Sequence, residues 1–203
     1  LQLGNGSTTG KLATTSVITN NGNLTINRSD AVAQGTDFNG SSLNGTGSFT
    51  QAGAGTTTLN VANGYTGGTT ITGGTLVAGN SGALGSGALS IGSGGTLSTG
   101  NLTVGALTLT GTGNIVLTDL TKLITSTGAV SISGASNLLT VGGTSGVAGT
   151  TYNLLSGTSL SASGMSLTAP AASRWARAGS RRSTPAACCA RTGCPGRDGQ
   201  GAA

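Results

Sequence analysis

The sequence predicts an all-β fold of the β-solenoid type, and three observations predict it. Short runs of β-forming residues (TTI, TLV, ALSI, TLS between Asn63 and Ser98) alternate with Gly-Gly, Gly-Asn or Gly-Ser every four to eight residues. Threonine and branched aliphatics suit a pleated strand, and glycine supplies the corners. Almost every four-residue window in this stretch contains a glycine, so no segment could sustain a helix. Apolar residues also pair at a period of two and then recur about 20 residues later, as a coil of three short strands and three corners would require.

Taken in order, the chain opens with LQLGNG (Leu1 to Gly6), which can be laid on LVAGNS (Leu76 to Ser81) at an offset of 75. GNLTI (Gly22 to Ile26) lies on GNLTV (Gly100 to Val104) at an offset of 78, so the sequence suggests two copies of a larger unit. The period-2 pairs are Leu59/Val61, Leu89/Ile91, Leu102/Val104, Leu107/Leu109, Ile115/Leu117, Val130/Ile132 and Leu139/Val141. These, with Ile71, Leu76 and Leu97, are expected to face inward. The coil-to-coil steps read as Ile71 to Ile91, Leu76 to Leu97, Leu89 to Leu109 and Leu109 to Val130. About 165 residues would then form about eight coils and a rod roughly 40 Å long. Thr69 is expected on the outer surface, where Thr69→Ala would cost within about 0.5 kcal/mol.

The stretch 63–98 carries a family resemblance. Asn63, Tyr65, Thr66, Gly67, Gly68, Thr69, Thr70 and Ile71, then Gly73, Gly74, Thr75, Leu76 and Gly79, follow the pattern N-x-Y-T-G-G-T-T-I-x-G-G-T-L-x-x-G. Leu84, Gly85, Gly87, Gly94, Gly95, Thr96 and Leu97 continue it. This pattern resembles the passenger-associated repeat of bacterial autotransporters. GTGSFTQAGAGTTTL (Gly45 to Leu59) resembles the segment that often leads into that repeat. The resemblance implies a right-handed parallel β-helix, exported by type V secretion to the surface of a Gram-negative bacterium. It also implies an outer-membrane translocation barrel as partner, absent from this chain; it does not imply a catalytic activity. Without an initiating methionine, a signal-peptide pattern or a membrane-spanning apolar run, the chain reads as an internal or truncated piece.

Composition supports a solenoid over a globule. Only 2% of the residues are aromatic and 6% charged, too few to fill a compact core or solubilise a globule by charge. A solenoid needs only one or two aliphatics per strand, stacked in inner ladders. The net charge of +5 is a property of one end. Up to Ser173, Lys11, Arg28 and Lys122 balance Asp30, Asp37 and Asp119, whereas six arginines face Asp198 alone from Arg174 onward. All three cysteines, the single tryptophan and two of the three prolines lie there too. The pattern loosens after Leu155. Residues 1–169 therefore read as the β-helix, with 63–98 as its repeat core. Residues 170–203 read as a disordered tail of the composition that a GC-rich gene gives out of frame.

The side-chain chemistry points away from catalysis. The chain has no histidine and no glutamate, and only three aspartates before the tail, so a general base for a Ser or Thr nucleophile is lacking. A serine–lysine pairing could involve only Lys11 or Lys122, both read as surface residues. No phosphate-binding glycine loop occurs, and GGTTITGGTL offers threonine where a calcium-binding repeat needs aspartate. Cys188, Cys189 and Cys194 provide neither a fourth cysteine nor a histidine for zinc. No cofactor, metal or nucleic acid is expected. The pairs Arg28/Asp30 and Asp119/Lys122 are read as exposed, and worth about 0–1 kcal/mol each. Asn-x-Ser/Thr sequons begin at Asn5, Asn23, Asn27, Asn39, Asn44 and Asn101.

Two functions follow. The first is a structural and adhesive surface rod that meets itself, a host surface or glycans through Thr/Asn-lined faces; an inert stalk for an activity located elsewhere is a variant of it. The second is an ice-binding solenoid, suggested by Thr-x-Thr at Thr56/Thr58, Thr70/Thr72, Thr108/Thr110 and Thr125/Thr127. Their starts lie 14, 38 and 17 residues apart, too uneven for all four to share one ladder.

Overall fold

The computed structural model describes residues 1–15, 17–134, 136–143, 153–163 and 165–168. The expected tail, residues 170–203, lies outside them. Every regular element described is a strand, and every strand pairing is parallel. The chain winds as a β-solenoid of about six turns.

Two long sheets form its sides. The first stacks eight strands: Gln2–Leu3, Asn23–Ile26, Ser48–Gln51, Thr69–Ile71, Leu89–Ile91, Leu107–Thr110, Val130–Ser133 and Leu160–Ala162. The second stacks seven: Ala31–Ala33, Thr56–Leu59, Thr75–Ala78, Thr96–Thr99, Asn114–Leu117, Asn137–Val141 and Met165–Thr168. A third side is discontinuous. Asn44–Gly45 pairs with Gly64–Tyr65, and Leu102–Val104 with Ile124–Ser126 and then Leu155–Ser156. Between these groups the chain passes residues 80–86 as turns.

Strand alternation builds the core. On the first sheet Ile26, Gln51, Ile71, Ile91, Leu109 and Ile132 follow one another in register, one per coil. On the second, Thr57, Leu76, Leu97, Ile115 and Leu139 do the same. All of these are buried. An isolated strand of three or four residues would be unstable. Here each strand inside a sheet is held by a parallel neighbour on both sides, and its inward side chains stack on those of the coils above and below.

Coil length is not constant. Gln2 pairs with Thr25, Leu24 with Phe49, Phe49 with Thr69, Thr69 with Leu89, Leu89 with Leu107 and Leu107 with Val130. Steps of 23 and 25 residues thus give way to 20, 20 and 18, then 23. The next step, Val130 to Leu160, passes through residues 144–152, which are not described. The longer end coils are why fewer turns are formed than a uniform 20-residue coil predicts.

Four expectations are corrected. Leu89 stacks on Leu107 rather than Leu109, and Val130 on Leu107. A two-residue slip leaves the same face inward, so the apolar pattern cannot detect it. Val61 is half-buried in a bend, because its strand ends at Leu59 and the pair Leu59/Val61 straddles a corner. The two-copy alignment also fails. Gln2–Leu3 belongs to the first sheet but Thr75–Ala78 to the second, and Asn23–Ile26 to the first but Leu102–Val104 to the third side. Finally, Thr69 faces inward and is buried.

Candidate functional site: the repeat motif and its polar core

The motif residues occupy one full circuit, and they divide by task. Asn63 is buried and joins three coils. Its Oδ1 accepts from the Leu43 N–H at 2.8 Å and from Gln34 Nε2 at 3.0 Å. Its Nδ2 donates to the Ala83 carbonyl at 2.7 Å and to Gln34 Oε1 at 3.3 Å. The Leu43 N–H and the Ala83 carbonyl lie just outside the paired strands, so a side-chain amide satisfies a donor and an acceptor that a strand would have paired.

Tyr65, in the strand that follows, is fully buried, with its ring stacked against Phe49 at 6.3 Å between centroids. Its hydroxyl lies 2.6 Å from Thr69 Oγ1, which in turn donates to the Leu84 carbonyl at 3.3 Å. Thr69 thus accepts from the phenol while donating upward to the next coil. Burial pushes the Tyr65 hydroxyl well above its ordinary pKa, with the Thr69 hydrogen bond opposing in part, so the phenol stays neutral.

The remaining motif residues shape the coil. Thr66 is exposed, and its N–H bonds to Gly45 O at 3.1 Å. Gly67 passes so close to the coil below that a Cβ would sit 2.7 Å from the Gly47 carbonyl carbon and oxygen. Gly68 has φ +92°, and a Cβ there would meet Ala88 O at 2.6 Å. Side-chain-free corners are therefore needed on both grounds, conformation and contact. Gly73 and Gly74 form the corner between the sheets. Ile71 and Leu76 enter the core, while Thr70 and Thr75 face outward, half-buried by their ladder neighbours.

The preceding coil holds a second polar pair inside the core. Thr57 Oγ1 donates to Gln51 Oε1 at 2.5 Å, and Gln51 Nε2 donates to Gly53 O at 2.9 Å. Gln34, Phe49, Gln51 and Thr57 were not singled out from sequence. Gln51 could have been found, since a lone amide two residues from a buried Phe49 on a strand must find partners inside.

The charged groups are structural anchors. Arg28 is only 3% exposed, so its pair with Asp30 is not the surface pair expected. Its strand ends at Ile26, and Arg28 sits in the following corner. There Nε reaches Asp30 Oδ1 at 2.9 Å, Nη2 reaches Oδ2 at 2.6 Å, and Nη1 reaches Gly10 O at 2.8 Å. Lys11 meets Asp37 at 2.7 Å, and Asp37 also accepts from the Ala33 N–H at 2.9 Å. Asp119 and Lys122 flank a turn at 3.7 Å. Among the sequon asparagines, Asn5, Asn23, Asn44 and Asn101 are exposed, Asn27 is half-buried and Asn39 is fully buried.

Where the third side is interrupted, a shallow groove of about 300 Å³ opens between Ala62, Gly64, Gly82, Gly85, Val104 and Thr127. It exists because glycines line it. Only the main chain, small side chains and the edge of Asn63 reach it, and no titratable group does.

No curated protein and no solved structure matches the chain. A family model does: that of the passenger-associated-transport-repeat, over residues 49–78. The match runs from the Phe49 strand to the end of the Thr75–Ala78 strand, taking in the Gln51–Thr57 pair, the Asn63 hub and the Tyr65–Thr69 bond. The residues that build this polar core thus lie within the stretch that is similar to the passenger-associated-transport-repeat, and the described strands around it form an all-parallel β-solenoid.

Proposed function

We propose that this chain is a rod segment of an autotransporter passenger, exported to the surface of a Gram-negative bacterium, and that its role is structural and adhesive rather than catalytic. The observation that carries this reading is the repeat match at residues 49–78, set within an uninterrupted stack of coils. Such a stack suits export as an unfolded chain. Each coil pairs with the one before it, only 18 to 25 residues away along the described six steps, so it can fold on a template as it emerges. The three aspartates described are held by Arg28, Lys11 and Thr121, which supports a scaffolding role for them. The outward faces, rich in threonine, serine and asparagine, are the surfaces through which the rod would touch a second rod or a host surface.

The test is display. The chain is placed between an export signal and an outer-membrane translocation barrel, and intact cells are probed with antibody and protease. Surface exposure of the folded, protease-resistant segment is expected. Retention in the periplasm, with the barrel correctly assembled, would overturn the reading.

A further inference from the structure

We propose that Asn63 sets the register of the repeat coil, its side chain selecting one alignment of the third side that apolar packing does not select. Gly64–Tyr65 pairs with Asn44–Gly45 over two residues only, whereas the adjoining strands of the two long sheets pair over three or four. In the next coil, residues 80–86 form turns and no strand, so no further rung on this side holds the alignment.

Apolar contact favours the other alignments. In the pairing observed, Leu43 lies opposite Asn63, one residue before each strand. A slip of two residues would put Asn44 opposite Ala62 or Thr66 and leave every face as it was. Leu43 would then lie opposite Val61 or Tyr65, an apolar side chain in place of an amide. Burial of Leu43 is served at least as well by either slip.

The slips cannot keep the hydrogen bonds. Asn63 Oδ1 accepts from the Leu43 N–H at 2.8 Å and from Gln34 Nε2 at 3.0 Å, and Nδ2 donates to Gln34 Oε1 at 3.3 Å and to the Ala83 carbonyl at 2.7 Å. Gln34 is only 3% exposed, and the same Nε2 ties it to Ser41 O at 2.9 Å, so it cannot follow a shifted partner. A two-residue shift would carry Asn63 about 6.6 Å along its strand, out of reach of both Leu43 and Gln34. Two amides would be left buried and unpaired. A buried polar group whose partners match in one alignment alone specifies register rather than burial. In a chain that folds each coil on the one before, a slip here would pass to every later coil. That consequence rests on the export reading above; the register role does not.

The experiment is cross-linking of the refolded full chain, in a background with Cys188, Cys189 and Cys194 changed to serine. Three reporter pairs are built: Asn44→Cys with Gly64→Cys for the observed register, and Asn44→Cys with Ala62→Cys or Thr66→Cys for the slips. A Cβ at Gly64 would meet only the Asn44 side chain, which the pair replaces. In the observed register the slip pairs stand about 8 Å apart between Cα atoms, too far for a disulfide, whereas the 44/64 pair stands at about 4.8 Å. Each protein is refolded reduced and then oxidised. With Asn63 present, only the 44/64 pair is expected to close. With Asn63→Leu, closure of the 44/62 or 44/66 pair is expected to rise at least tenfold, with the β-sheet circular dichroism kept. Gln34→Leu with Asn63→Leu, which leaves neither amide behind, is expected to fold and slip in the same way. Closure of a slip pair with Asn63 present overturns the proposal, as does a folded double variant that closes only the 44/64 pair. Loss of the sheet signal in both variants would show that the hub is needed for the coil to form at all, and also overturns it. None of these outcomes depends on display at a cell surface.

Discussion

Tyr65 and Thr69, four residues apart on opposite sides of a corner, share a hydrogen bond of 2.6 Å wholly inside the coil. It ties the third side to the first sheet within one coil, and the Thr69 hydroxyl extends it to Leu84 in the next. Tyr65→Phe removes the donor but leaves Thr69 able to bond Leu84, so a loss of about 1 kcal/mol is expected. Thr69→Ala strands both the phenol and the Leu84 carbonyl and should cost about 2–3 kcal/mol. Chemical denaturation of the singles and the double should show clear coupling. Strict additivity would mean that the bond contributes nothing.

The sequence already held the evidence for Thr69. Ile71 reads as inward, and a period of two then requires Thr69 to be inward and Thr70 outward. Polarity misled where periodicity was right. The solenoid class, its glycine corners and all but one of the expected inward aliphatics were legible because each rests on a local rule. Three things were not legible. Register was hidden because a two-residue slip preserves every face. The Asn63 hub was hidden because its partners, Gln34, Leu43 and Ala83, lie in other coils. The burial of Arg28 was hidden because the loop that covers it, through Gly10, comes from 18 residues earlier.

The face assignment has a direct contrast. Leu89 is buried between Thr69 and Leu107, and Leu89→Asp would put a carboxylate where neither water nor a cation can reach it. Loss of cooperative unfolding is expected. Thr70→Ala, on the outer side of the adjoining strand, should stay within about 0.5 kcal/mol of the parent. Similar denaturation midpoints for the two variants would contradict the inward and outward assignment.

Thr99 offers a gain. Its side chain stands in the inner ladder between Ala78 and Leu117, and its buried hydroxyl has no hydrogen-bond partner among the described residues. An unpaired buried hydroxyl is destabilising, and valine has nearly the same shape. Thr99→Val should therefore raise stability by about 1 kcal/mol, seen as a higher thermal midpoint. A lower midpoint would mean that the hydroxyl is satisfied in solution.

Acid should loosen the first coils. Hydrogen bonding to Arg28 holds Asp30 below the usual carboxylate range, against a desolvation cost. Burial opposes ionisation of Asp37, but bonding to Lys11 and to the Ala33 N–H outweighs it and lowers that carboxyl too. Hydrogen bonds from Thr121 do the same for Asp119. Lowered folded pKa values mean that the folded state binds fewer protons than the unfolded chain in mild acid. The stabilisation is therefore complete above the ordinary carboxylate pKa of about 4 and is lost as pH falls through the lowered values. With no histidine in the chain, stability should be nearly flat between about pH 6 and 8. Asp37→Asn should flatten part of the acid limb. A loss of stability centred between pH 6 and 7 would contradict this assignment.

Two corner glycines separate conformation from contact. Gly94 has φ +81° and open space where a Cβ would go, whereas Gly68 has φ +92° and the Ala88 carbonyl oxygen 2.6 Å from that position. Alanine at Gly94 meets only the left-handed backbone penalty, about 1–2 kcal/mol. Alanine at Gly68 meets that penalty and a main-chain clash. The clash can be relieved only by moving the Leu89 strand, with which Thr69 is in register. Gly68→Ala should therefore lose well over the 1–2 kcal/mol expected of Gly94→Ala and should disturb the repeat coil itself. Hydrogen exchange at Phe49, whose N–H bonds to Gly68 O at 3.0 Å, reports that disturbance locally. Faster exchange at Phe49 in Gly68→Ala, with parental exchange in Gly94→Ala, is the expected result. Equal losses in the two variants would show that backbone conformation alone, and not the approach of neighbouring coils, demands glycine at these corners.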